Sequence, residues 1–210
     1  MGYKALSAHT TGSNNTAFGE QAATAVTTAN NTVAVGYRSV YSATTGYHNV
    51  GVGTETLRGT TTGFENVAVG TQTLYTNTTG NYNVAVGGAA LQSNTTASYN
   101  TAVGYQAGYS NTTAHITAVG GLVLYNNTTG ENNVGVGGAD GAYGAALGAN
   151  TTGSYNTGLG VQALRNNTTA SNNTAVGYQA LYSNTTASRN TAVGYSAGLL
   201  NTTDRKSTRL

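Results

Sequence analysis

Residues 173–189 read NTAVGYQALYSNTTASR, and from Asn190 the chain begins the same phrase again as NTAVGYSAGLLNTT. The rest of the sequence is a variation on this unit. Anchoring each copy on the Gly that follows its Val places the anchors at Gly2, Gly19, Gly36, Gly53, Gly70, Gly87, Gly104, Gly120, Gly137, Gly160, Gly177 and Gly194. The spacing is 17 residues, with one step of 16 and one of 23. A fixed period of this size marks a solenoid, whose units cannot bury an apolar side alone and must stack on their neighbours.

The columns of the repeat predict its geometry. The residue before each anchor is apolar throughout (Phe18, Val35, Val52, Val69, Val86, Val103, Val119, Val136, Leu159, Val176, Val193), which predicts that this column faces the interior. Four residues after the anchor, Leu6, Val40, Leu57, Leu74, Leu91, Leu124, Leu164 and Leu181 predict a second core column. Between them stand small residues such as Ala22, Ser39, Thr56, Ala107, Ala163 and Ala180, which suit a tight interior. The segments TAVG and YQALY, β-branched or aromatic and bounded by Gly or Asn, read as two brief strands per coil. No window holds a helical period. The expected fold is all-β: a parallel β-solenoid or β-roll of about eleven coils, close to ~50 Å long at the ~4.8 Å spacing of strands.

A Thr-Thr pair recurs in every copy, from Thr10-Thr11 to Thr202-Thr203, and all but the last pair are followed by Gly or Ala. Asn-Thr-Thr-Gly reads as the turn of each coil, because Gly and Asn accept positive φ and the Asn and Thr side chains bond turn backbone. Turn geometry also accounts for the Asn-x-Thr sequons at Asn77, Asn94, Asn111, Asn150, Asn184 and Asn201. Six extra residues fall within 137–160, where Gly and Ala predict a loop or a change of curvature. Insertions in repeats map to loops on one face, so Asp140 is a candidate contact residue.

Composition narrows the function. Only 7% of residues are charged, and there is no Cys, no Pro and no Trp, with 30 Gly and 15 Tyr. Without Cys there is neither a disulfide framework nor a thiolate metal site. The longest apolar runs are a few residues, too short for a membrane-spanning helix. The formal charge of +2 is the sum over Asp204, Arg205, Lys206 and Arg209; elsewhere five basic and five acidic residues cancel. A neutral array has no electrostatic footprint for a phosphate backbone, so no nucleic-acid partner is expected.

No column of the repeat gathers catalytic chemistry. His9, His48 and His115 occupy different columns, as do the carboxylates, so nothing converges on an acid–base pair. Gly158 to Ala163 spells GxGxxA, but no helix follows and the string is the anchor motif with Gly at 158. The expectation is therefore no enzyme: no catalytic, cofactor-binding or metal-ligating residue, and no cofactor. Tyr41, Tyr75, Tyr109, Tyr125 and Tyr182, each five residues after an anchor, form a candidate aromatic contact stripe, available for neighbour stacking, a subunit interface or a sugar ring.

Both ends fall in mid-repeat. Gly2 to Leu6 matches GYQAL with Met1 where the Val should stand, and the repeat stops at Thr203. Residues 1–203 read as an internal piece of a longer array. The last seven residues, DRKSTRL at 204–210, look like a translated sequencing adapter and are set apart as a non-native tail.

The unit NTAVGYQALYSNTT, repeated over nearly all of residues 1–203, resembles the repeats upstream of the C-terminal chaperone domain in phage and bacterial tail-fibre-like proteins. It is more distantly similar to the NSVAIG head repeats of trimeric autotransporter adhesins, which form a left-handed parallel β-roll. The resemblance implies a homotrimer, an extracellular place on a virion tail or bacterial surface, a glycan or other cell-surface receptor as partner, and core positions for Val52, Val69 and Val103. The period departs from the adhesin head, about 14 there against 17 here. A second reading, an ice-binding solenoid, rests on the Thr ranks. Adjacent Thr on a strand would point to opposite faces, so that reading needs a Thr-x-Thr rank on one flat face.

Overall fold

The computed structural model describes residues 2–138, 144–202 and 207–209. The protein is an all-β parallel β-solenoid with one short strand per coil and no helix among the described residues. It comprises two compact units, residues 1–100 and 101–210.

In the first unit β1 (Thr16–Phe18), β2 (Val33–Val35), β3 (Val50–Val52), β4 (Val67–Val69) and β5 (Val84–Val86) pair in sequence order and in parallel, each residue opposite the one 17 positions on, as Val50 is opposite Val67. The second unit continues the pattern with β6 (Thr101–Val103), β7 (Ile116–Val119), β8 (Asn133–Val136), β9 (Thr157–Leu159), β10 (Thr174–Val176) and β11 (Thr191–Val193). A further strand, β12 (Ser207–Arg209), pairs with β11.

The strand faces are the reverse of the sequence expectation. On each strand the middle residue is buried and its neighbours are not: Ala34, Gly51, Ala68 and Ala85 point inward, while Val52, Val69, Val86, Val103 and Val136 are 36–39% exposed. Alternation sends residues i and i+2 to one face and i+1 to the other. The coil is too narrow for Val on its inner side: a Cβ on Gly51 would lie 2.6 Å from Ser39 Oγ and 2.8 Å from Val40 Cγ2. The column before the anchor, Val52, Val69 and Val103 included, is therefore on the outside.

The other two core columns face inward as expected. Leu57, Leu74 and Leu91 are fully buried, as are Ser39, Thr56, Thr73 and Ala90 beside them. The segment that carries them is not a second strand. Positions two and four after the anchor have positive φ, 56° at Glu55 and 49° at Leu57, 55° at Gln72 and 51° at Leu74. Such a conformation costs an L-residue ~1–2 kcal/mol. Burial of the Leu offsets it, as do hydrogen bonds between coils, from Glu55 N–H to Tyr37 O (2.7 Å) and from Leu57 N–H to Thr73 O (3.0 Å).

The anchor Gly has a different necessity. All the anchors from Gly19 to Gly194 have φ between 121° and 135°. A Cβ on Gly53 would stand 2.5 Å from the carbonyl oxygen of Gly70, the anchor of the next coil. Only Gly satisfies both the conformation and the close approach.

Thr-Thr-Gly is a turn, but not through positive φ at its Gly or Asn: the left-handed residues come two positions after the Gly, at His48 (54°) and Glu65 (53°). The N–H groups of Thr44, Thr45 and Gly46 all donate to Thr61 O, at 3.0, 3.4 and 3.2 Å, and Thr44 Oγ1 donates to the same oxygen at 3.3 Å. The first Thr of each pair thus ties one coil to the next. The second Thr, such as Thr45, Thr62 or Thr79, is exposed.

Two columns of buried Asn complete the interior. Asn49, Asn66, Asn83 and Asn100 stack along the first unit; Asn133, Asn156, Asn173 and Asn190 stack along the second. Asn66 donates from its backbone and from Nδ2 to Asn49 Oδ1, and also from Nδ2 to Gly80 O at 2.8 Å. In the second column Asn94 Nδ2 donates to Asn77 Oδ1 (2.9 Å) and Ala97 O (3.0 Å). The 16-residue step replaces the first-column Asn with Ile116, which is 3% exposed. In the 23-residue step the extra residues follow Gly137. The ordinary pattern resumes at Gly144, and Leu147 takes the Leu position with φ 53°.

Candidate functional site

Of the tyrosines singled out in the sequence, Tyr109 and Tyr125 meet ring against ring, and Tyr41 and Tyr75 are bridged by Arg58. In the first unit Arg58 occupies the same column as Tyr41 and Tyr75 and lies between them, its guanidinium 5.8 Å from one ring centroid and 5.3 Å from the other. Arg58 Nη1 also donates to the Tyr75 hydroxyl at 3.0 Å, and Nε lies 3.4 Å from Glu55. In the second unit Tyr109 and Tyr125 stack at 5.0 Å. All of these, and Tyr182, are half-buried. Where Tyr109 and Tyr125 stack, each uses one ring face on the other. Asp140 lies outside the described residues.

A second aromatic row was not foreseen. Tyr47 stacks on Phe64 at 4.8 Å, Phe64 meets Tyr82 edge-on at 5.2 Å, and Tyr82 stacks on Tyr99 at 4.9 Å. The rings come from two adjacent columns in the turn before the buried Asn, which hides the row from column reading. Beside it His48 Nδ1 lies 3.8 Å from Glu65, and in the second unit His115 lies 3.9 Å from Glu131. Both pairs are exposed and contribute little. The phenol of Tyr82 is pushed above its ordinary pKa, first by lost solvent and then by the Glu65 carboxylate.

In each unit the outer side of the strands forms an uncharged surface. In the first unit, β2 to β5 set eight Val in two columns facing outward. In the second, Thr and Val alternate across the face, as at Thr174 and Val176, and Thr191 and Val193. No charged residue stands on the outward positions of β1–β11. One position past the anchor, exposed tyrosines adjoin this face: Tyr3 and Tyr37 in the first unit, and Tyr105, Tyr178 and Tyr195 in the second. The sequence did contain a signal. The inward column holds only Ala and Gly, whereas the outward one also takes Phe18 and Leu159.

Among the described residues no three His, Asp or Glu side chains gather as a metal site, and no helix is long and apolar enough to cross a membrane. The sequon residues Asn77, Asn94, Asn111, Asn150 and Asn184 are buried. No family model, curated protein or solved structure matches the chain.

Proposed function

We propose that this chain is a structural and adhesive fibre segment, of the kind that builds phage tail fibres or bacterial surface adhesins, presenting a receptor-binding surface outside the cell or on a virion tail. The observation that carries the reading is how the coils are joined. Backbone groups, turn threonines and two columns of buried Asn bond to the next coil, so each coil serves as a spacer for its neighbour. Repetition of that kind suits length and stiffness. The resemblance to tail-fibre repeats points the same way and implies a homotrimer.

The test is binding of the fluorescently labelled full chain to bacterial and host cell surfaces and to a glycan array. Saturable binding that unlabelled chain displaces supports the reading. No binding to any surface, by a chain with a folded β-sheet spectrum, contradicts the adhesive part.

One observation favours the second reading. The outward positions of β9–β11 form ranks of Thr157, Thr174 and Thr191 beside Leu159, Val176 and Val193. A regular flat face of hydroxyl and methyl groups is what an ice surface would engage. In β2–β5 both columns are Val, without hydroxyls, which weakens this alternative. Thermal hysteresis in a nanolitre osmometer decides it.

A further inference from the structure

We infer that the outer face of the strands is the surface through which copies of this chain join, sheet face against sheet face. This rests on the fibre reading and assigns to it a particular surface. Val50, Val52, Val67, Val69, Val84 and Val86 form two parallel columns in the first unit, none of them buried within the chain. Thr101 with Val103 and Thr174 with Val176 do the same in the second.

The face itself selects its occupant. It has no charge on its strand positions, and the adjoining column one past the anchor adds a single exposed carboxylate, Glu20, so there is little for an oppositely charged partner to read. Its apolar knobs repeat once per coil, a period that a second copy reproduces. The adjoining Tyr37, Tyr105, Tyr178 and Tyr195 give it the aromatic, carboxylate-poor composition of an interface core, with hydroxyls at the margin.

The area is also of the right order. At ~4.8 Å between strands and ~7 Å between outward side chains, the two columns cover roughly 300 Å² in the first unit and about 350 Å² in the second. Each is at the size where an exposed apolar patch signals an interaction site. Each falls short of the ~800 Å² per partner that stable interfaces bury, which makes the association reversible.

The test is sedimentation equilibrium of the full chain across a concentration series, alongside the double variant Val69→Glu, Val86→Glu. A second double variant, Thr45→Glu, Thr62→Glu, places the same charges on the exposed turn. Circular dichroism reports the fold of each. Wild type and the turn variant are expected to associate equally, and the strand variant to dissociate at least about tenfold more readily with its β spectrum intact. A wild-type monomer at about 100 μM overturns the inference, as does a folded strand variant that associates like wild type. If the strand variant fails to fold, Val69→Cys under oxidation decides: disulfide-linked dimers support the face, and their absence overturns it. Copies that join through this face but bind no cell surface would leave the interface standing and remove the adhesive reading. A monomer that binds cells would do the reverse.

Discussion

Asn66 is bonded to Asn49 of the preceding coil twice over: its backbone N–H donates to Asn49 Oδ1 at 3.0 Å and its side-chain Nδ2 to the same oxygen at 3.2 Å. Asn66 Oδ1 then accepts from Asn83 N–H and Nδ2, both at 3.0 Å. A buried amide is tolerated when its partners are supplied, and here each Asn supplies them for the next. Asn66→Ala would leave the Asn83 N–H without its acceptor and take one donor each from Asn49 Oδ1 and Gly80 O, which keep the backbone N–H of residue 66 and Asn77 Nδ2. A loss of about 2 kcal/mol is expected, against under ~0.5 kcal/mol for Thr45→Ala on the exposed turn. Urea unfolding of the two variants measures the difference.

The anchor glycines predict a contrast between neighbours. Gly120 has φ 121°, and a Cβ there would run into the backbone nitrogen of Gly138. At Gly121 a Cβ meets only Tyr105 O, at 3.8 Å. Gly120→Ala should therefore cost more than about 3 kcal/mol or prevent folding, while Gly121→Ala should be neutral or slightly stabilising. Thermal melts of both variants check this.

These two cases show what the sequence made legible. The anchor Gly and the buried Asn fall in strict columns because geometry there admits one residue type, and period, turn and solenoid class follow from them. The direction of the strand did not follow. An all-apolar column suggests an interior, yet the coil has room only for Ala or Gly on the inner side of its strand, since a Cβ on Gly51 already presses on Ser39 Oγ and Val40 Cγ2, and the bulkier Val stands outside. The residue types of YQALY suit a strand. Positive φ at Gln72 and Leu74 leaves no mark on composition when burial and hydrogen bonds between coils enforce it. The row Tyr47–Phe64–Tyr82–Tyr99 crosses from one column to the next, so no column reading could reveal it.

Arg58 stands where the column otherwise carries Tyr41 and Tyr75, and its planar guanidinium fills the stack. Arg58→Tyr should therefore keep stability within ~0.5 kcal/mol of wild type, and Arg58→Ala should lose about 1 kcal/mol. Equal losses in both variants would show that the charge, and not the stacked plane, is what matters; urea midpoints separate the two.

Tyr82 gives a pH prediction. Its phenol is raised above the ordinary value of 10.0, by lost solvent and then by Glu65, Tyr99 and Tyr47. The neutral phenol is the form the fold favours, so its contribution is present below the ordinary pKa and is lost as pH rises through the raised one. Glu65→Gln should lower the Tyr82 titration toward 10.0, and added salt should have a similar effect on this exposed side chain. Ring-proton NMR across the alkaline range follows the single residue.

The most direct measurement is thiol labelling of Val69→Cys and Ala68→Cys, two adjacent positions on one strand, in a protein without native Cys. At sub-micromolar concentration, where association is reversed, Cys at 69 should react within about tenfold of the rate in guanidinium, and Cys at 68 should be protected by several orders of magnitude. At high concentration Cys at 69 should become protected as copies join. Rapid labelling at 68 with protection at 69 in the dilute chain would contradict the outward valine face and everything built on it.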